Sequence, residues 1–283
     1  MELILTLSNQ ANLKKIAALN IKNLIVHPKK YSDRANHYFS LDEIKELCQS
    51  PFNIYINLNT MLSEFELADF DCFLAQVAKL PVKGIYFNDL GIIELAKKYG
   101  IVSKLIYNPD TLMTNSLDIK YFLEYGLDGV VISKELTKQE IQKIIAVNDK
   151  QTDLIIMGRL NMSYSRRHFI KNYYAYLKQD VNYDNCYDLN LIEATRDKRM
   201  PILENEHGCS LFTDYTLCAL DELKDLKGLK RAIIDDIFLP FEQVEQALIW
   251  YQNKEAVLEK MQAKYPDYNY SSGYMYQKTN LVK

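Results

Sequence analysis

Apolar, β-branched runs of strand length alternate with amphipathic helical stretches from the first residues onward. Eight runs stand out: LILTLS (3–8), NLIVH (23–27), NIYINLN (53–59), GIYFND (84–89), SKLIYN (103–108), GVVIS (129–133), DLIIMG (153–158) and RAIIDD (231–236). They are continuous rather than alternating, as expected of parallel strands covered on both faces. Between them Ser40-x-x-Glu43, Ser63-x-x-Glu66 and Thr137-x-x-Glu140 have capping-box spacing, and Gly100 and Gly126 stand where left-handed helix stops belong. Eight βα units in 283 residues predict an α/β, TIM-barrel-like (β/α)8 fold. The competing open doubly wound sheet lacks its glycine-rich loop, since Ser8-Asn9-Gln10 follows the first run.

The rhythm breaks between the seventh and eighth strands. Residues 180–228 read as an inserted subdomain within a single barrel-like domain spanning 1–283. The spacing predicts a helix over 166–177, two or three short antiparallel strands over 191–212 and a helix over 216–226. A long last helix is expected over 240–264, with Trp250 on its apolar face, and the polar, aromatic tail reads as an added strand or an arm.

Composition narrows the function classes. Net charge is −3, so bulk electrostatics do not announce a nucleic-acid binder. No apolar run is long enough to span a membrane, and MELILTLSNQ has no secretory pattern. Five cysteines without close spacing suggest a reducing, cytoplasmic setting and no zinc or iron–sulfur framework. The 21 tyrosines accompany many Asn, Lys and Ile residues, and coding bias explains them more simply than binding does.

Barrel chemistry gathers at the C-terminal strand ends. These carry Ser8, Asn9, His27, Asn57, Asn59, Asn88, Asp89, Asn108, Ser133, Gly158, Arg159, Asp235 and Asp236. Rich in amides and poor in carboxylate pairs, the face reads as a recognition site. The densest cluster, residues 157–174, places Arg159 at the seventh strand end and Ser163 or Ser165 as a helix cap. Arg166, Arg167 and His168 are expected in the first helical turn. Cations at a helix start are unfavourable unless an anion joins them, so an anion site is expected there, the alternative being a basic surface turn. The Asp235-Asp236 pair is weak as a metal site because adjacent strand residues diverge. Zinc-protease, nucleophile-elbow and P-loop motifs are missing, so the catalytic residue is unassigned; His207 and Asp89 are the candidates.

Gly158-Arg159-x-x-Met162-x-Tyr164-Ser165-x-Arg167, followed by Asn172-Tyr173, resembles the signature of the collagenase-like peptidases of family U32, where U marks an unassigned catalytic type. Further segments resemble the family in order: YSDRA with Arg34, Asn59, Asp89, NPDTLMTN (108–115), SKEL (133–136), EHGCSLFTDYTLC (206–218) and SSGYMYQKT (271–279). The resemblance implies a barrel-like α/β fold. It also implies one of several activities: collagen-degrading proteolysis (a hydrolase), ubiquinone hydroxylation, or tRNA modification by prephenate-dependent 5-hydroxylation of the wobble uridine. The chain looks most like the short bacterial type encoded beside a longer paralogue. Asn161 and Met157 stand where many relatives have Cys and His, and the cysteines that hold an iron–sulfur cluster in some members are missing, so no cofactor is expected. Tyr164, Ser165, Arg159, Arg166, Arg167, Asn59, Asn108, Asn115 and His207 are the expected ligand-binding residues. The expected partners are an anionic small molecule such as prephenate, tRNA and a paralogous subunit, with no membrane. The favoured expectation is a tRNA-modification factor; the alternatives are a peptidase and a non-catalytic partner of the paralogue.

Overall fold

A computed structural model describes residues 1–195 and 198–277. Its strands are β1 (Glu2–Thr6), β2 (Asn23–Val26), β3 (Asn53–Leu58), β4 (Gly84–Phe87), β5 (Leu105–Tyr107), β6 (Gly129–Val131), β7 (Thr152–Ser165), β8 (Asn190–Ile192), β9 (Arg199–Asn205), β10 (Gly208–Cys218), β11 (Arg231–Ile234) and β12 (Tyr270–Ser271). The helices are α1 (Leu13–Ala18), α2 (Leu41–Leu47), α3 (Leu67–Val77), α4 (Gly91–Lys98), α5 (Ser116–Glu124), α6 (Lys138–Val147), α7 (Phe169–Tyr176), α8 (Phe241–Gln252) and α9 (Val257–Lys264). β1 to β7 pair in sequence and in parallel, and β11 closes the ring by pairing with both β1 and β7. The eight expected strands are therefore the eight staves of a closed barrel.

The interior follows from strand alternation. Each stave contributes one inward side chain to a common layer: Ile4, Ile25, Tyr55, Tyr86, Ile106, Val131, Ile155 and Ile233. Outward residues such as Leu5, Leu24, Ile56 and Phe87 pack beneath the helices in a larger core. The barrel floor is ionic. Arg231, 2% exposed, donates through Nε to Asp153 Oδ2 at 2.8 Å and through Nη1 to Asp128 Oδ2 at 2.7 Å, and its guanidinium lies over the rings of Tyr55 and Tyr86. Gly129 makes room for it, since a Cβ there would stand 2.9 Å from Nη2.

All three capping boxes form. Those of Ser40 and Thr137 open α2 and α6, whereas that of Ser63 opens a 3-10 turn leading into α3. Other boundaries differ from expectation. β7 does not end at Gly158 but runs on for seven residues, leaving the barrel to pair with β10. Ser163 and Ser165 are thus strand residues, not helix caps, and Arg166 and Arg167 precede α7. Residues 216–218 extend β10, where the expected helix gives way to pairing of Thr216 with Arg159 and Tyr270 and only a 3-10 turn (Leu220–Asp225) follows. The long last helix is two, α8 and α9, with Lys254 left-handed between them. Three antiparallel strands, β8 to β10, make up the appended layer, and β12 is the added strand expected of the tail. Residues 196–197 of the insertion and 278–283 of the tail lie outside the described residues.

Candidate functional site

The loop after β2 folds back over the C-terminal mouth of the barrel, and the appended layer holds it there. Asp33, 4% exposed, receives Asn205 Nδ2 at 2.7 Å, Thr60 Oγ1 at 2.8 Å and His207 Nδ1 at 2.9 Å, while its backbone N–H donates to Asn59 Oδ1 at 2.6 Å. Burial opposes the Asp33 charge, but the hydrogen bond and charge of His207, with those from Thr60 and Asn205, outweigh it and hold its pKa below the ordinary value. The hydrogen bond to Asp33 raises His207 against its own burial, helped by the charges of Asp33, Glu206 and Glu66. Tyr164 donates to the His207 carbonyl at 2.7 Å, fixing this corner from β7.

Next to Asp33, Arg34 turns into the mouth. Its Nη2 lies 3.4 Å from Asp110 Oδ2, Lys134 Nζ lies 3.3 Å from Asp110 Oδ1, and Asn161 Nδ2 donates to Asp110 at 3.1 Å. The Arg34 and Lys134 side chains are only 10% and 3% exposed. Burial works against the Asp110 carboxylate, and the two cations more than offset it, so its pKa is lowered. Both Arg34 and Asp110 have left-handed backbones, at φ +59° and +64°. Such geometry costs a non-glycine residue about 1–2 kcal/mol and persists only where the surroundings enforce it.

Around this cluster the strand ends present amides. Asn57 donates to Nε2 of His27, whose pKa burial drives down to about 3, with Arg34 adding to the effect, so the ring is neutral. Asn88 donates to the Asn59 carbonyl. The Oδ1 atoms of Asn57, Asn88, Asn108 and Asn161 are buried without a partner among the described residues. Four acceptors are thus gathered at one end of the barrel, where each buried unpaired polar atom costs about 1–3 kcal/mol.

At the eighth stave, Asp236 accepts from Thr6 and Ser8 at 2.7 and 2.5 Å, yet burial still raises its pKa to about 6. Burial first, then the neighbouring Asp236 charge, pushes Asp235 up to about 7. With a folded value near 7 against an ordinary 3.8, the neutral Asp235 carboxyl gives stability that is full below about pH 4 and is lost as pH rises through 7. Asp235→Asn should therefore flatten the decline in urea midpoint between about pH 4 and 7; an unaltered slope would place the titration elsewhere. Gly158, left-handed at φ +134°, lets β7 pass this point: a Cβ would stand 2.3 Å from the Asp235 carbonyl oxygen.

The expected binding residues divide. Asn59, Tyr164 and His207 converge on or beside Asp33, and Asn108 ends β5 with its amide oxygen unpaired. Arg159 faces away toward the C-terminal segment, its Nη1 donating to the Thr213 carbonyl at 2.7 Å and its charged and phenolic neighbours being Asp214, Tyr268 and Tyr270. Asn115 caps α5 through Leu117 and Asp118, and Asp89 accepts from the backbone of Leu62 and Gly91. Ser165 accepts from the Arg167 N–H, and Arg166, half exposed, lies 3.7 Å from Glu66.

The start of α7 does hold an anion, and the chain supplies it. Glu204 of β9, 1% exposed, accepts from the backbone N–H groups of Ile170 at 2.8 Å and Lys171 at 3.0 Å, with His168 Nδ1 3.7 Å away. Glu204→Ala should lower stability by about 1–3 kcal/mol, read as a urea midpoint, because it exposes two helix-start donors and removes their charge-assisted acceptor. A loss below about 0.5 kcal/mol would mean that water replaces the carboxylate.

Sequence reasoning passed over Asp33, Arg34, Asp110, Lys134 and Asn161 as site residues. Asp110 and Lys134 stand in loops one or two residues past apolar runs, whereas Asp33 and Arg34 lie six and seven residues past theirs and Asn161 lies within β7. Burial pushes the Cys209 and Cys218 thiols up to about 12, away from the thiolate form, and among the described residues no three His, Cys, Asp or Glu side chains group as metal ligands.

A closed (β/α)8 barrel with an amide-lined mouth and buried cations over it defines the class: a TIM-barrel-like α/β protein. The chain belongs to peptidase family U32, which it matches over residues 8–279. It is similar to "tRNA hydroxylation protein P2" of Bacillus subtilis, 22% identical over 80% of this chain and 75% of that one. It is also similar to "tRNA hydroxylation protein P" of Escherichia coli, 25% identical over 50% of this chain and 32% of that one. A third relative is an "uncharacterized protease" of Methanocaldococcus jannaschii, 24% identical over 66% of this chain and 46% of that one. The chain thus spans most of one relative but less than half of the other two. No solved structure matches it. Among the described residues no helix is long and apolar enough to cross a membrane.

Proposed function

We propose that this protein is a tRNA-modification factor that holds an anionic small molecule, prephenate or a similar dicarboxylate, in the barrel mouth during 5-hydroxylation of the wobble uridine. The observation that carries the reading is the buried convergence of Arg34 and Lys134 on a single carboxylate, Asp110, beneath four unpaired amide oxygens. Within this cluster two cations face one anion, and the fork of Arg34 suits bidentate capture of a ligand carboxylate. The amide oxygens of Asn57, Asn88, Asn108 and Asn161 accept from ligand hydroxyls. The names of the bacterial relatives supply the RNA half of the reading. In this reading the protein works in the cytoplasm, alone or with a longer paralogue.

Proteolysis finds less support. His207 Nδ1 is oriented by Asp33, but its Nε2 faces Glu66 at 3.6 Å and Glu206 at 4.0 Å rather than a Ser or Cys nucleophile. Mass spectrometry of tRNA nucleosides from a deletion strain should show loss of 5-hydroxyuridine derivatives. Unchanged levels, with any paralogue also deleted, would refute the tRNA reading.

A further inference from the structure

Residues 166–178, RRHFIKNYYAYLK, contain four cations, Arg166, Arg167, Lys171 and Lys178, and no carboxylate, in a chain whose net charge is −3. The helix inside this segment, α7, turns little inward: of its residues only Ile170 is buried. Phe169, Tyr173 and Tyr176, spaced four and three residues apart, are 51%, 59% and 82% exposed and form one stripe. Phe169, Tyr173 and Tyr174 also wall a groove of about 490 Å³ between α7 and the β8–β9 hairpin, with Leu191 and Ile192 opposite. The positive end of α7 is already satisfied by Glu204, so the four cations are not there to serve the helix.

Aromatic rings that bases can stack on, interleaved with cations that neutralise phosphates, form the recognition chemistry of single-stranded nucleic acid. A protein partner fits less well, because Lys171 and Lys178 flank this stripe and Lys is depleted from the centres of protein interfaces. From the same helix a polar cleft of about 610 Å³, lined by His168 and Lys171, leads past Asn205 and Glu206 to a second of about 610 Å³ that ends at Asp33 and His207. Asp180, Asp184 and Glu206 border this route, so it disfavours phosphate relative to the α7 side.

We propose that the exposed face of α7 is where single-stranded RNA docks on this protein, bases stacking on Phe169, Tyr173 and Tyr176 and phosphates meeting Arg166, Arg167, Lys171 and Lys178. The choice of RNA over DNA rests on the tRNA reading above; the surface itself does not. One nucleotide beyond the stack lies within the cleft that ends at His207, which joins the surface to the barrel mouth.

The test is fluorescence anisotropy of the full chain with a labelled, uridine-rich single-stranded RNA, a duplex of the same sequence and an anticodon stem–loop. Tyr173→Ala and Tyr176→Ala should each weaken single-strand and stem–loop binding about fivefold or more, and Arg166→Glu/Arg167→Glu should reduce it further and flatten its salt dependence. Thermal unfolding should stay unchanged, because these side chains are exposed. The duplex should bind more weakly than the single strand and should not respond to the tyrosine changes. Equal RNA affinity in all variants would overturn the proposal, as would variants that lose only co-purification with a paralogous protein, which would assign the face to that protein instead. Variants that lose RNA binding while a deletion strain keeps its hydroxyuridines would uphold this surface and remove the tRNA reading, so the two fail separately.

Discussion

Arg231→Ala should destabilise the protein by about 3–5 kcal/mol, the cost of leaving a buried charge without its partner. Asp153 is fully buried beneath Arg231, and besides Arg231 the side chain that bonds it is Tyr86, whose hydroxyl donates at 2.8 Å. The guanidinium also covers the rings of Tyr55 and Tyr86, so truncation opens a cavity under the interior layer. Urea denaturation would measure this. The double variant Arg231→Met/Asp153→Leu should recover most of the loss, since removing both charges removes the uncompensated one. A single-variant cost below about 1 kcal/mol would show that water reaches Asp153 and that the floor is not dry.

The second large effect belongs to the mouth. Arg34→Ala should weaken binding of a dicarboxylate such as prephenate by about 2–5 kcal/mol, roughly thirtyfold or more, measured by calorimetry. Two losses combine: the fork that meets the ligand, and half of the positive charge facing Asp110. Arg34→Lys should recover part of the affinity through charge but not the bidentate geometry. Arg159→Ala, by contrast, should leave ligand affinity unchanged, because that guanidinium bonds the Thr213 carbonyl on the other side of β7. If Arg159→Ala abolished binding and Arg34→Ala did not, the mouth cluster would be a structural feature and the ligand would lie elsewhere.

The two arginines also show what could be read in the chain. The staves were legible because continuous apolar runs and capping boxes are local signals; Ser40, Ser63 and Thr137 meet their glutamates three residues on. Strand ends were legible as a set, so the Asn residues of β3, β4 and β5 were found. What joins distant segments was not. Glu204 reaches the start of α7 from 34 residues away, and nothing near Ile170 announces it. Arg34 and Asp110 lie 76 residues apart in two turns, each with a left-handed backbone that no glycine marks. Residues 216–218 carry a helical pattern, but pairing with β7 and β12 outweighs it, since strand propensity depends on neighbours. The end of β7 was misplaced because Gly158-Arg159 interrupts an apolar run while the strand continues past it, paired with β10 through two register irregularities.

The continuity of β7 has a mechanical meaning. A single 14-residue strand is at once a stave of the barrel and the spine of the outer layer, and it carries Gly158 and Asn161 on its way from one to the other. The outer layer is tied to the barrel by this one continuous strand. A load placed on its far edge is levered along one stiff rod into the rim, so whatever grips the outside also tugs on the amides that ring the opening.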